Sequence, residues 1–274
     1  MTIAGPIALP MVRALARPVV RSRSPLAAET TALVARFSGA PSLDRKVKID
    51  TLIKALKVAG VWAKLDALYV LAAHDAQAAQ RNWIADAYNL TPTNAPTFTA
   101  DRGYAGNGST SYLDTGFNPS TAAGKFQRND AYFGIWSRTA GQTTASCAGY
   151  FSGTDGVSIL PRSASNLMTG RINQAAADDT SPTSTVTDGS GLFGVTRTGA
   201  SALRLARNGA ELDTGTTAST ALVNGNFRLG SIGAVGFSTI ELSAGLIGSQ
   251  LTVAEETAAY AALNAYYSGV AGFF

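Results

Sequence analysis

The chain has one cysteine, Cys147, and one histidine, His74, in 274 residues. A lone thiol cannot close an intrachain disulfide, and without further His or Cys there is no cluster with zinc or copper ligand spacing. Cys147 therefore reads as a buried thiol, and stability has to come from packing. Charge is also scarce, at 15% of residues. No uncharged apolar run reaches the roughly 18 residues that suggest a membrane-spanning helix. The sequence contains no Gly-x-Ser-x-Gly elbow, no His-Glu-x-x-His and no phosphate-binding loop. Gly189-Ser-Gly191-Leu-Phe-Gly194 has the letters of a dinucleotide fingerprint, but that pattern needs a helix after it, and Val195-Thr-Arg continues as strand. His74 can serve a nucleophile only where a Ser and an acid converge on it. Hydrogen bonding beside Asp75 is the expectation.

What the chain does have is glycine, 28 residues of it, with many Ser and Thr, a composition suited to short strands and turns. Strands are expected at 131–137, which alternates as a half-buried strand should, and at 145–152, 157–160, 167–172 and 192–196. Asn107-Gly108 marks a tight turn before Tyr112, and Asn208-Gly209 another between 202–207 and 210–212. Strands follow at 227–230 and 240–249. Residues 173–190 carry little to bury and read as an exposed loop. Helical spacing starts at Ser42 or Asp44, with Asp44 as N-cap, and stops at Gly60. The 65–72 run reads as a buried strand and Asp75 to Trp83 as a helix, each with some ambiguity of type. At the end, Thr252-x-x-Glu255 is a capping box, and Val253, Tyr260, Leu263 and Tyr267 form one stripe.

Charge is unevenly placed. Residues 1–64 hold eleven Lys or Arg against Glu29, Asp44 and Asp50, a net +8, leaving −4 on residues 65–274 within a total of +4. A basic end can meet nucleic acid, an anionic membrane or an acidic protein surface. Nucleic acid is disfavoured, because no aromatic residues interleave with the basic ones. Pro6, Pro10, Pro18, Pro25 and Pro41 interrupt residues 1–41 and make a long helix improbable there, so an extended arm is expected, ordered by a partner or by sister subunits. The prolines also spoil a transit-peptide helix, and the apolar start fits a secretory signal poorly.

The series of strand, Asn208-Gly209 turn, strand, Arg228-Leu-Gly230, closing strand and Leu251-Thr-x-x-Glu255-Glu256 resembles the C-terminal half of concanavalin A-like, LamG-type jelly-roll domains. Residues 62–268 are similar to LamG-like virion structural proteins of tailed bacteriophages and prophages. The likeness runs through the 65–79 segment, Trp83, Tyr88-Asn-Leu-Thr91, 96–109 and Ser111 to Pro119. The resemblance implies a mainly β fold, a two-sheet antiparallel β-sandwich, expected at 65–274 with a C-terminal helix; the short basic helix or linker at 42–64 and the extended arm at 1–41, which lies outside the likeness, come from the spacing and the prolines. It also implies a noncatalytic protein of the tail or capsid, made in the bacterial host cytoplasm. The arm would dock on other virion proteins, the protein would be a homo-oligomer (a trimer by family analogy), and the sandwich would face host surface polysaccharide. A secreted bacterial carbohydrate-binding module is the alternative.

A glycoside hydrolase is less expected. Glucanases of this fold resemblance present Glu-x-Asp-x-x-Glu, with nucleophile and acid about 5 Å apart on one face. Here Glu211 and Asp213 alternate without a third acid, while Asp178-Asp179 and Glu255-Glu256 read as a solvated loop and a helix start. For sugar binding without catalysis, exposed rings with nearby amides are needed. Tyr104, Tyr112, Trp136 and Tyr150 are the candidate platforms, although core packing competes at each. No cofactor, metal or calcium motif is legible. Asn89 and Asn107 match glycosylation letters, which matter only in a secreted eukaryotic protein.

Overall fold

The structure is a computed structural model that describes residues 25–175 and 181–270, together with residues 1 and 272. Two antiparallel sheets pack face to face. The first runs Ala210–Gly215, Ala202–Arg207, Gly191–Gly199, Ala131–Ser137, Glu241–Gly248, Gly103–Ala105, Thr97–Thr99, with Leu65–Val70 also paired to Glu241–Gly248. The second runs Thr183–Thr185, Leu167–Gln174, Gly156–Leu160, Ala148–Phe151, Arg228–Leu229, Tyr112–Asp114, Thr91–Thr93.

Alternation along each strand assigns the faces. Phe133, Ile135, Phe193, Val195, Leu203 and Leu205 of the first sheet meet Ala148, Val157, Ile159, Met168, Ile172 and Leu229 of the second. The opposite side of the first sheet, with Tyr132, Trp136, Leu246 and Val70, is buried under helices Leu43–Val58 and Val253–Ser268. The layers are therefore helices, sheet, sheet. The central strand Ala131–Ser137 is buried at every position because it is covered on both sides, which goes beyond the half-buried pattern expected from its alternation.

The helices start where side chains satisfy their first amides. Ser42, rather than Asp44, caps the first: its Oγ accepts from Arg45 N at 3.2 Å, while Asp44 lies in the first turn and pairs with Lys48. The Thr252/Glu255 capping box is present in both directions. Its helix buries Glu256, Ala259, Ala262, Leu263, Tyr266 and Tyr267; Val253 of the expected stripe, the first residue of the helix, is exposed. Asp75 caps only one turn, Ala76–Ala79. The expected loop at 173–190 is partly strand: Leu167–Gln174 runs further than expected and Thr183–Thr185 pairs with it, while residues 176–180 lie outside the described residues. Asn82 is fully buried and ties the 71–90 segment down. Its Nδ2 donates to the carbonyls of Asp66 and Ala87, and its Oδ1 accepts from Leu68 N and Ile84 N.

The charge asymmetry is used within the chain. Arg36, Arg45 and Lys64 pair with Asp86, Asp101 and Glu255 of the acidic part, while Lys48, Lys54 and Lys57 pair with Asp44, Asp50 and Glu29. The basic helix is thus largely neutralised where it sits.

The arm expected to be extended over 1–41 needs correcting in its last part. Ala28–Val34 is helical and belongs to the fold, with Leu33 and Thr30 fully buried, because a carboxylate from the next helix receives its start. Residues 2–24 of the expected arm lie outside the described residues. Asp50 Oδ1 accepts from Ala27 N at 2.7 Å and from Thr30 Oγ1 at 2.8 Å, and Oδ2 pairs with Lys54 at 2.6 Å. Burial disfavours the Asp50 carboxylate, but these partners together outweigh it and hold its pKa below the ordinary 3.8. Its contribution is therefore present above that value and is lost as pH falls through the lower folded one. Asp50→Ala should cost about 2 kcal/mol, the range for charge-assisted hydrogen bonds, and should open cleavage within 25–41 to limited proteolysis. An unchanged urea midpoint and digestion pattern would show that the helix holds on by apolar packing alone.

Candidate functional site

The first sheet has both faces covered, whereas no helix packs on the outer face of the second among the described residues. Leu229 and Ala148 face each other into the core, so the adjacent pair along the strands, Arg228 and Gly149, points out. The register aligns Arg171, Ser158, Gly149, Arg228, Asp114 and Thr91 in one transverse row across six strands. The two arginines stand at three strand spacings, about 14 Å apart at the backbone.

Between the arginines stand Gly149 and Ser158, both buried. Gly149 has φ +127°, and a Cβ there would fall 1.9 Å from the carbonyl oxygen of Val157, so only glycine fits. The Arg228 guanidinium stacks on Tyr112, 4.1 Å from its ring centre, and Arg171 lies over Phe151 at 5.8 Å. Arg228 Nη1 donates to Gly233 O at 2.5 Å, and its buried Nε has no hydrogen-bond acceptor. Among the described residues Arg171 makes a single long bond, 3.4 Å to Ala175 O, and burial lowers its pKa from the usual arginine value. Asp114 is oriented by Gly116 N at 2.8 Å and Asn226 Nδ2 at 3.1 Å. The 231–238 loop borders the face, with Phe237 6.3 Å from Tyr112.

The four candidate platforms are not brought together. Tyr112 is on this open face. Tyr150 lies one residue from Gly149 and so faces the other way, its ring packed beside Gly225, where a Cβ would fall 2.2 Å from it. Tyr104 is in the core, its hydroxyl donating to Ala76 O and accepting from Gln80 Nε2. Trp136 is on the helix side, stacked on Tyr260 at 5.6 Å and 11° with Tyr267 edge-on at 4.8 Å. It adjoins a cleft of about 410 Å³ that also holds Arg138, Asp188, Arg207, Asn208 and Asn264. Both arginines there already have acids: Arg207 Nη2 reaches Asp188 at 2.9 Å and Arg138 Nε reaches Glu241 at 3.1 Å. Sequence reasoning missed Arg171, Phe151 and Arg228. The available signal was their position, alternating with core residues Ile172, Tyr150 and Leu229.

The alternating acids do not form a pair. Residue 212 is an extra residue in the register, with Leu205 opposite Asp213 and Ala206 opposite Glu211. The two carboxylates are thereby sent to opposite faces: Asp213 accepts from Thr183 N of the second sheet, and Glu211 approaches Arg204 on the helix side at 3.9 Å. His74 Nε2 is 2.9 Å from Gly39 O and 3.2 Å from Asp75. Cys147 is buried, which pushes its thiol up to about 12 and leaves it a poor nucleophile. Among the described residues no three His, Cys, Asp or Glu gather as a metal cluster, and no helix is long and apolar enough to cross a membrane.

No family model and no curated protein matches the chain. Solved structures do. One is botulinum neurotoxin type C, whose cell entry depends on interaction with two ganglioside molecules; it is 10% identical, with TM-score 0.54 over 75% of this chain and 53% of that one. Another is the receptor binding domain of a botulinum neurotoxin C/D mosaic serotype, at 8% identity and TM-score 0.53 over 73% and 51%. A third is the binding domain of botulinum neurotoxin DC in complex with SialylT, at 10% identity and TM-score 0.50 over 74% and 52%. The chain spans about half the length of each. At such identities the likeness is one of fold, the two-sheet sandwich.

Proposed function

We propose that this chain is a noncatalytic, lectin-like binding protein whose open sheet face holds a glycan. The observation that carries the reading is the outer face of the second sheet, on which no helix packs among the described residues and where two partly exposed arginine-on-aromatic pairs stand in one row with an oriented carboxylate. Rings present apolar sugar faces with a stacking surface, and Asp114 and the flanking threonines offer hydrogen bonds to hydroxyls. Similar sandwiches in toxin binding domains, one concerned with gangliosides, support the reading. The separation of Glu211 from Asp213 supports the absence of hydrolysis.

The setting we propose follows from the sequence resemblance of residues 62–268: a concanavalin A-like virion structural protein of a tailed bacteriophage, homo-oligomeric and docked through its N-terminal segment. Because residues 28–34 are part of the fold, the segment to remove in testing this is residues 1–24. Antibody-labelled imaging of virions should then detect the full-length protein and not the truncated one.

Affinity electrophoresis through a panel of bacterial surface polysaccharides tests the binding reading. Retardation by at least one of them, reduced by Tyr112→Ala and not by Trp136→Phe, is expected, with no reducing ends released on prolonged incubation. Retardation insensitive to Tyr112 would move the site elsewhere, and release of reducing sugar would make the protein a hydrolase.

A further inference from the structure

Six arginines have carboxylate partners among the described residues: Arg36 with Asp86, Arg45 with Asp101, Arg102 and Arg138 with Glu241, Arg204 with Glu256, Arg207 with Asp188. Arg81, Arg128, Arg162 and Arg197 have none, but Arg128 is held by Ser219, Arg162 by Ala140 O and Asn166, and Arg197 by buried carbonyls. Arg171 and Arg228 on the open face also have no carboxylate partner among the described residues. Asp114 is directly opposite Arg228 in the register, yet it makes no ion pair with it, because the guanidinium leans over Tyr112 and donates to Gly233 O, while Gly116 N and Asn226 Nδ2 hold Asp114 Oδ1. Each guanidinium is thus half-buried, held on a ring and short of acceptors, and the buried Nε of Arg228 has none.

A cation kept out of full hydration without an anion is an unfavourable arrangement for the free protein and a prepared one for an anionic ligand. A guanidinium presents parallel donors that match a carboxylate, and its stacking on a ring fixes its plane in advance. With two such forks three strand spacings apart, the face suits a chain carrying one carboxylate at each of two separated positions. Single-stranded nucleic acid fits less well: it brings a charge at every nucleotide and calls for a track of cations, whereas this row holds two arginines and an acid.

We infer that the ligand of this face is an acidic glycan, a polysaccharide whose uronate or sialate carboxylates are received by Arg171 and Arg228. The inference rests on the glycan-binding reading above and names its substrate class.

The test measures binding of the full chain to polygalacturonate and polysialic acid, to the same two polymers after carboxyl reduction, and to an oligothymidylate. Binding to at least one acidic polymer is expected, weakening as salt rises and falling roughly tenfold or more on its carboxyl reduction, the loss of at least one charge-assisted hydrogen bond. Arg171→Gln and Arg228→Gln should each weaken it by a similar factor with the thermal midpoint held. Should Arg228→Gln fail to fold, Arg171→Gln decides, since among the described residues Arg171 has one long hydrogen bond to lose. Equal binding of the reduced polymers would overturn the acidic class and leave the glycan reading standing. Binding of no polymer would overturn both. Tighter binding of the oligothymidylate, lost in the same variants, would reassign the face to nucleic acid.

Discussion

Arg197→Met is expected to remove about 3 kcal/mol or more of folding stability, seen as a lower urea midpoint with an unchanged slope. Arg197 is fully buried, in the Gly191–Gly199 strand. Its guanidinium crosses to the second sheet, with Nε donating to Ile172 O at 2.7 Å. Nη1 donates to Gly199, Ala200 and Thr217 carbonyls at 3.2, 3.0 and 3.2 Å, and Nη2 to Thr217 O at 3.2 Å. No carboxylate is among these acceptors. Burial lowers its pKa from 12.5 to about 10, with Arg128 adding to the shift, so it remains charged at neutral pH.

Two effects oppose each other in that substitution. An apolar side chain of similar length relieves the cost of burying a cation, and such replacements are neutral or stabilising where whole ion pairs are removed together. Here only the donor goes, and the buried carbonyls of Ile172 and Thr217 lose a partner, at about 1–3 kcal/mol for each one left unsatisfied. The second effect wins. Arg197→Lys should recover little, because one ammonium with three donors cannot span acceptors set around a planar fork. A midpoint shift equivalent to less than about 0.5 kcal/mol, the range of surface substitutions, would show that the carbonyls find other partners.

Glu256→Ala is expected to cost about 3 kcal/mol, because it leaves Arg204 a half-buried cation without its main anion. Glu256 is 2% exposed in the first turn of the C-terminal helix; it accepts from Arg204 Nη2 at 2.6 Å and Thr196 Oγ1 at 3.0 Å. Arg204 also holds Leu251 O at 2.7 Å, so one guanidinium seats both the helix start and the chain entering it. Burial raises the Glu256 pKa above 4.5 despite Arg204 and Thr196. A raised acid binds its proton more tightly in the fold, so its contribution is greatest below the unfolded value near 4.5 and shrinks as pH rises through the folded one. The stability gap between the natural protein and Glu256→Gln should therefore be wider at pH 4 than at pH 7. A gap that widens toward neutral pH would mean that Arg204 outweighs burial.

Some of this protein is legible in its sequence because it depends on neighbours along the chain. The Thr252 capping box, the Asn208-Gly209 hairpin and the alternation of 131–137 all lie where local chemistry puts them, since a cap, a left-handed turn and a two-residue period involve only nearby residues. The two-sheet sandwich with a closing helix follows from many such segments taken together. The burial of Cys147 and the hydrogen bonding of His74 beside Asp75 also follow.

What only the tertiary structure decided is which side each strand turns to which neighbour. Both faces of 131–137 are apolar enough to bury, so nothing local says that Trp136 goes under the C-terminal helix while Phe133 goes into the sandwich. One extra residue at 212 sends Glu211 and Asp213 to opposite faces, and a bulge depends on the partner strand as much as on its own. Basic residues at 36–64 look like a surface for a partner until distant acids at 86, 101 and 255 are brought against them. Arg171 and Arg228 are 57 positions apart in the numbering and share a row only because four strands pair in one register. Pairing between strands far apart in sequence is set by the packing of all their side chains at once, and a linear reading of residues does not contain it.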